Sequence, residues 1–239
     1  MQFGALGDIH GDFASARRIM ERHEDVPFWV CVGDLADAHG RYEAVPRPLY
    51  WIKGNNEDFD LVASLGFPAN LHHLTNAAVV EIGEQRVRIA GLGGTFAPTW
   101  YETRAADLPH PRKRSAKATE LATLRQGSGS PRAKSRDDKR RHFVREEVEA
   151  CAAMRGVDLF MTHEAPRPYR IGRIEAGKAP VNEVLAAMRP RLHLFGHHHR
   201  FTEQEREGVR SVGLDLVSRS YLLIEPDTME YDIRSTQGP

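Results

Sequence analysis

Seven residues of this chain are of types that hold metal ions, and each lies just beyond a short apolar run: Asp8 and His10, Asp34, Asn55, His163, then His197 and His199. Mixed carboxylate, carboxamide and imidazole donors suit Mn²⁺, Fe or Zn²⁺ better than the all-oxygen sets of Ca²⁺ or Mg²⁺. Seven donors are too many for one tetrahedral site and match two metals that share a carboxylate. Two divalent ions ~3.5–4 Å apart clamp the attacking and leaving oxygens of an in-line displacement. Their charge of about +4, less that of Asp8 and Asp34, leaves about +2, which favours an anionic phosphoester.

The elements that must position these residues follow from patterning. Gln2 to Leu6, Pro27 to Val32, Pro48 to Ile52, Val157 to Thr162 and Leu192 to Phe195 have strand length and little polarity. Helical spacing predicts helices over Phe13 to His23, Asp138 to Met154 and Val181 to Met188. Strand, polar loop and helix in alternation point to an α/β fold with a mostly parallel buried sheet, whose ligands gather at the carboxyl ends of the strands. Residues i and i+2 of an extended segment face the same way. Asp8 with His10, and His197 with His199, are therefore expected to point into one pocket, with His198 turned elsewhere. Ala77 to Gly91 alternates about Gly83-Glu84 and predicts a hairpin with one wet face. Arg210 to Leu214, Tyr221 to Ile224 and Met229 to Ile233 are expected to form a closing β segment.

Composition bounds the rest. At 239 residues, 41% of them hydrophobic and 28% charged, the chain suits one globular domain over 1–239 and excludes a disordered polypeptide. No apolar run approaches the ~18–20 residues that span a bilayer, so no membrane partner is expected. Two cysteines, Cys31 and Cys151, are too few for a disulfide framework, which favours a reduced, cytoplasmic setting. Lys plus Arg and Asp plus Glu are 33 each, which excludes a basic surface over the whole chain. A local one remains: 13 Lys and Arg face 5 Asp and Glu over 102–145, a surplus of +8 balanced by −8 elsewhere. Patterning collapses between Tyr101 and Lys139, with a short helix over Ala116 to Arg125 as its one candidate element. Residues 102–138 are therefore an expected insertion, either solvated or a lid over an extended phosphate backbone. Trp100 and Tyr101 at its start offer rings to stack on a base, and His198 is a further substrate-binding candidate.

The blocks Asp8-x-His10, Gly33-Asp34, Gly54-Asn55-x-Glu57, His163 and Gly196-His197-x-His199 together resemble the calcineurin-like metallophosphoesterase superfamily. The resemblance implies a four-layer αββα sandwich and a dinuclear centre. By the family pattern Asp8, His10 and His199 hold one metal, Asn55, His163 and His197 the other, and Asp34 bridges them. Asn70-Leu71-His72-His73-Leu74, Val87 through Phe96, and Thr162-His163-Glu164-Ala165-Pro166 look most like prokaryotic relatives of the RNA lariat debranching enzyme. The second block continues Leu35-Ala36-Asp37 and lacks the phosphate-binding Arg of the protein Ser/Thr phosphatases.

One departure bears on mechanism. The family's third block usually carries a His that protonates the leaving oxygen, and here Asn56 stands in its place. An amide is no general acid near neutral pH, although it can hydrogen-bond a phosphoryl oxygen. The expected activity is phosphodiester hydrolysis by a metal-bridging hydroxide, with Asp34, Asn55 and Asn56 as catalytic residues and two divalent ions, Mn²⁺ first, as cofactors. His72, His73 or His142 is the alternative proton donor. A phosphomonoesterase or nucleotide phosphatase, or a catalytically weak nucleic-acid-binding relative, is the alternative function.

Overall fold

The computed structural model describes residues 2–110 and 137–237. The helix expected over 116–125, and most of the basic insertion, lie outside the described residues.

The chain runs β1 (Phe3–Leu6), α1 (Phe13–Arg22), β2 (Trp29–Cys31), β3 (Leu49–Trp51), α2 (Phe59–Ser64), β4 (Leu71–His73), β5 (Val79–Ile82), β6 (Val87–Leu92) and β7 (Thr95–Phe96). It continues through β8 (His142–Phe143), α3 (Arg145–Ala152), β9 (Leu159–Thr162), β10 (Arg170–Ile171), β11 (Ile174–Glu175) and α4 (Ala179–Met188). The last elements are β12 (Leu192–Phe195), β13 (Thr202–Arg206), β14 (Val209–Gly213), β15 (Ser220–Ile224) and β16 (Tyr231–Ser235).

Two six-stranded sheets dominate, ordered β16-β15-β1-β2-β3-β4 and β13-β14-β12-β9-β6-β5. The period-2 alternation of each strand sorts its side chains between layers. Val30 and Val32 enter a core between the sheets with Ile89, Leu159, Met161 and Leu194. Trp29 and Cys31, on the opposite face, pack against Phe13, Ala16, Ile19 and Met20 of α1. On the second sheet Ala90, Leu92 and Phe160 pack against Val148 and Cys151 of α3 and Val181 and Val184 of α4. Three cores between four layers make the αββα sandwich of the calcineurin-like type. Close packing requires glycine at Gly4, where an added Cβ would sit 2.1 Å from the Trp29 ring.

Several expectations need correction. The helix expected over Asp138 to Met154 begins only at Arg145, because His142–Phe143 pairs in parallel with Thr95–Phe96 and extends the chain. Glu147 then accepts a hydrogen bond from the Val144 N–H at 3.0 Å and caps the helix. The hairpin β5–β6 forms as expected, but only β5 is wet. β6 pairs with β9 on its other edge and α3 packs on its outer face, so both its faces are covered. The closing β segment is split: β14 joins the second sheet, whereas β15 and β16 return to the first beside β1.

Candidate metal centre

β1, β2 and β3 run parallel, as do β9 and β12, and the seven candidate ligands all fall in the loops at their carboxyl ends. Backbone hydrogen bonds continue past the strands and lock the first two loops together. Ile9 and His10 both donate to the Asp34 carbonyl, at 3.2 and 2.7 Å, and Gly11 donates to Leu35 at 3.0 Å. From the last loop the His197 N–H donates to both Asp8 carboxylate oxygens, at 3.2 and 3.1 Å.

The side chains gather in two groups, Asp8 with His10 and His199, and Asp34 with His163 and His197. In the first, Nε2 of His199 lies 3.0 Å from Oδ2 of Asp8 and 3.0 Å from Nε2 of His10. In the second, Nε2 of His163 lies 3.2 Å from Nδ1 of His197 and 3.2 Å from Oδ1 of Asn55. Asp34 stands between them, its Oδ2 3.6 Å from Nε2 of His10 and 3.6 Å from Nε2 of His163. His197 and His199 thus face one centre from different groups, the division that the family pattern implies. They reach it through left-handed rather than extended backbone, since His10, Asp34, His197 and His199 have φ of 48, 51, 70 and 49°. Such conformations cost of order 1–3 kcal/mol each in non-glycine residues and concentrate at functional sites.

The donor set fits divalent metal. His163 donates Nδ1–H to the Val32 carbonyl at 2.9 Å, which leaves the Nε2 lone pair directed at Asp34 and Asn55. Glycines clear room for the carboxylates: a Cβ on Gly196 would sit 2.3 Å from Oδ1 of Asp8, and one on Gly54 would lie still closer to Asp34. Burial opposes ionisation of Asp34, but the His163 and His10 imidazoles and the Asn56 N–H outweigh it and hold the carboxyl below its usual value. Burial likewise opposes protonation of His163, and the charges of Asp34 and Asp8 override it. The hydrogen bond to Asp8 raises His199.

Glu57, which sequence reasoning left without a role, buttresses this floor. It is buried and accepts from the N–H groups of Leu35, Ala36 and Gly54 at 3.1, 3.3 and 3.3 Å and from the Tyr42 hydroxyl at 2.8 Å. Burial, then the charge of Asp34, pushes its carboxyl up to about 8. Its place at the end of Gly-Asn-x-Glu was the available signal. Lys178, at the start of α4, was also missed. Its Nζ lies 3.8 Å from Oε2 of the buried Glu164, and no motif pointed to it.

The remaining candidates sit as follows. The Asn56 N–H donates to Oδ1 of Asp34 at 2.7 Å, and its side-chain amide donates to the Ala36 carbonyl at 3.1 Å. His198 stacks on Tyr169, with ring centroids 4.5 Å apart. Tyr101 is not available to stack on a base. It is buried, Phe96 packs edge-on at 5.1 Å, and the Arg145 guanidinium lies over its ring at 4.8 Å. Trp100 is half-buried. His72 stacks on Tyr50 at 4.7 Å. Burial pushes His73 and His142 down to about 4, so both are neutral at neutral pH.

A four-layer sandwich with two carboxylate–imidazole groups at its strand ends defines a metallophosphoesterase-type centre. The chain belongs to the calcineurin-like phosphoesterase family, whose model matches residues 1–201. Family members are metal-dependent phosphoric ester hydrolases. Solved structures with a similar fold include that of TT1561 of Thermus thermophilus, at 13% identity, with 99% of each chain covered and a TM-score of 0.62. A dimetal phosphatase from Danio rerio is similar at 15% identity, with 99% of each chain covered and a TM-score of 0.53. No curated protein sequence matches the chain.

Proposed function

We propose that the chain is a two-metal phosphodiesterase. The observation that carries this reading is Asp34, whose Oδ2 stands 3.6 Å from an imidazole nitrogen of each ligand group. Asp8, His10 and His199 would hold one divalent ion and Asn55, His163 and His197 the other, with Asp34 placed to serve both. Mn²⁺ suits this mixed donor set first, with Fe and Zn²⁺ behind it. Bound there, the pair supplies a water nucleophile of lowered pKa and neutralises phosphoryl charge.

The protein's own groups set the rest. The Asn55 carboxamide gives its oxygen to the metal side, and its amide hydrogens suit a phosphoryl oxygen. Asn56 acts through Asp34, which its N–H steadies, and supplies no proton. His73 and His142 are neutral at neutral pH and donate none readily. The leaving group therefore departs with little protonation, which favours phenolate-like over alkoxide leaving groups. Two cations beside the centre are already committed: Lys178 faces Glu164 at 3.8 Å, and Arg219 faces Asp215 at 3.2 Å. A singly charged diester fits the remaining charge better than a monoester dianion.

We read residues 1–239 as one domain in a cytoplasmic setting, with 102–138 as an insertion that favours nucleic acid among diesters. Purified chain loaded with Mn²⁺ is to be assayed on bis(p-nitrophenyl) phosphate, on p-nitrophenyl phosphate, and on 2′–5′, 3′–5′ and cyclic nucleotides. Cleavage of the aryl diester ahead of the monoester is expected, and preference for the 2′–5′ bond supports the debranching resemblance. Absence of cleavage of every diester rejects the reading.

A further inference from the structure

The loop leaving His163 carries a feature that metal chemistry does not use. β10 and β11 form a two-stranded hairpin in which Arg170 faces Glu175 and Ile171 faces Ile174. Every residue from 170 to 175 is exposed. Ile171 and Ile174 are 53% and 70% exposed, and as register partners they lie side by side on one face. The base of the hairpin is fixed beside the metal centre. Tyr169 is buried and stacks on His198, and Oε1 of Glu175 accepts from the N–H groups of Tyr169 and Gly177, each at 2.9 Å. A held base and a bare tip place two aliphatic side chains in water at the rim of the site.

Single exposed aliphatics are ordinary on protein surfaces. A register pair at a hairpin tip within a basic segment is a narrower observation. Over 167–178 the chain has four Arg and Lys (Arg167, Arg170, Arg173, Lys178) against Glu175 alone, a surplus of +3. Neither Arg170 nor Arg173 makes an ion pair within 4.0 Å among the described residues, although Arg170 lies opposite Glu175 in register and its charge helps the Tyr169 N–H to hold that carboxyl down. We propose that this hairpin rests on a bilayer surface rich in anionic lipid, with Ile171 and Ile174 at the headgroup–acyl boundary and Arg170 and Arg173 against lipid phosphates.

Charge and apolarity together select this occupant. An anionic bilayer surface rewards both the arginines and the isoleucines. A nucleic acid rewards the arginines but gives the isoleucines nothing to stack on, since they have no π-face. A second copy of the chain would bring two hairpins of like charge together, each with Arg170 and Arg173 against Glu175 alone. No helix among the described residues is long and apolar enough to cross a membrane, and surface docking requires none. The docking needs neither metal nor turnover, so it stands or falls apart from the phosphodiesterase reading.

The test is co-sedimentation of the full chain with vesicles of phosphatidylcholine alone or mixed with phosphatidylglycerol, at low salt. The mixed vesicles are expected to retain the protein and the neutral ones to leave it in solution. Ile171→Ser with Ile174→Ser is expected to lower partition about tenfold, and each of Arg170→Ser and Arg173→Ser about fivefold. Melting followed by circular dichroism and hydrolysis of a soluble diester are both expected to match the wild type in every variant. Equal binding to both vesicle types overturns the proposal, as does retention undiminished in the isoleucine variant. So does binding of an RNA oligonucleotide, without vesicle binding, that the arginine variants lose and the isoleucine variant keeps; that result assigns the surface to nucleic acid.

Discussion

A methyl group placed on Gly54 would sit 2.0 Å from Oδ1 of Asp34, inside any tolerable contact. Gly54 and Asp34 come from different strand ends, so the position of the shared carboxylate depends on a neighbour having no side chain. Gly54→Ala is expected to push Asp34 aside and weaken Mn²⁺ binding by about 10–100-fold, the range seen when groups that orient metal ligands are disturbed. Titration calorimetry on metal-free protein measures this. Unchanged affinity would mean that the carboxylate finds an equivalent position.

Asp34→Asn should separate the two ligand groups. Metal analysis after gel filtration is expected to give about two ions per wild-type chain and about one in the variant. Retention of two ions would show that Asp34 is not shared.

Metal should also stabilise the fold, since donors brought together from five loops do not exist as a set in the unfolded chain. At a hundred times Kd, ligand binding adds about 2.7 kcal/mol. For a chain of this size that corresponds to a Tm rise of about 5–10 °C. Differential scanning fluorimetry with Mn²⁺ and then with chelator tests it, and a Tm indifferent to both would count against a structural contribution from metal.

The buried His193 makes a pH prediction. Its Nε2–H donates to Oγ1 of Thr162 at 2.9 Å, Nδ1 accepts from Ser211 at 3.0 Å, and Thr162 donates onward to the Glu164 carbonyl at 2.6 Å. This chain of bonds needs neutral imidazole, and burial pushes the ring down to about 3. In the unfolded chain it titrates near ~6.5. Between those values the unfolded state binds the extra proton, so stability is intact above about 6.5 and falls as pH drops toward about 3. At pH 5 the loss is roughly 2 kcal/mol. His193→Gln starts less stable, and its deficit is expected to shrink by about that amount between pH 7.5 and 5 in urea melts. A deficit constant with pH would mean that the ring titrates normally.

Asn56→His restores the imidazole typical of the family's third block. The backbone N–H that holds Asp34 is unaffected by the change. Rates on alkyl diesters are expected to rise by 10²-fold or more, toward the range of a positioned general acid, with aryl diesters little altered. Equal effects on both would show that leaving-group protonation does not limit the reaction.

The sequence announced the ligand blocks because each places a donor at the end of an apolar run, and all but that of His163 pair the donor with a glycine. It announced the two-sided sheets for a similar reason, since Phe28 to Val32 is apolar throughout and Leu192 to Phe195 is broken only by His193. Other features depend on distant contacts. Whether Phe143 is helical or extended turns on its pairing with Phe96, which no local pattern around residue 143 encodes. That Tyr101 is buried depends on Arg145 and Phe96 closing over it. The left-handed backbone at His197 and His199, both non-glycine residues, is likewise something that period-2 reasoning does not supply.

The place of β15 has a consequence for synthesis. β1 carries Asp8 and His10 at its end and lies between β2 and β15, so its second edge is completed by residues 220–224. On the ribosome the earliest ligands wait, one flank open, until residues 220–224 have emerged. A nascent chain stalled before residue 220 should then bind metal poorly despite holding all seven donors.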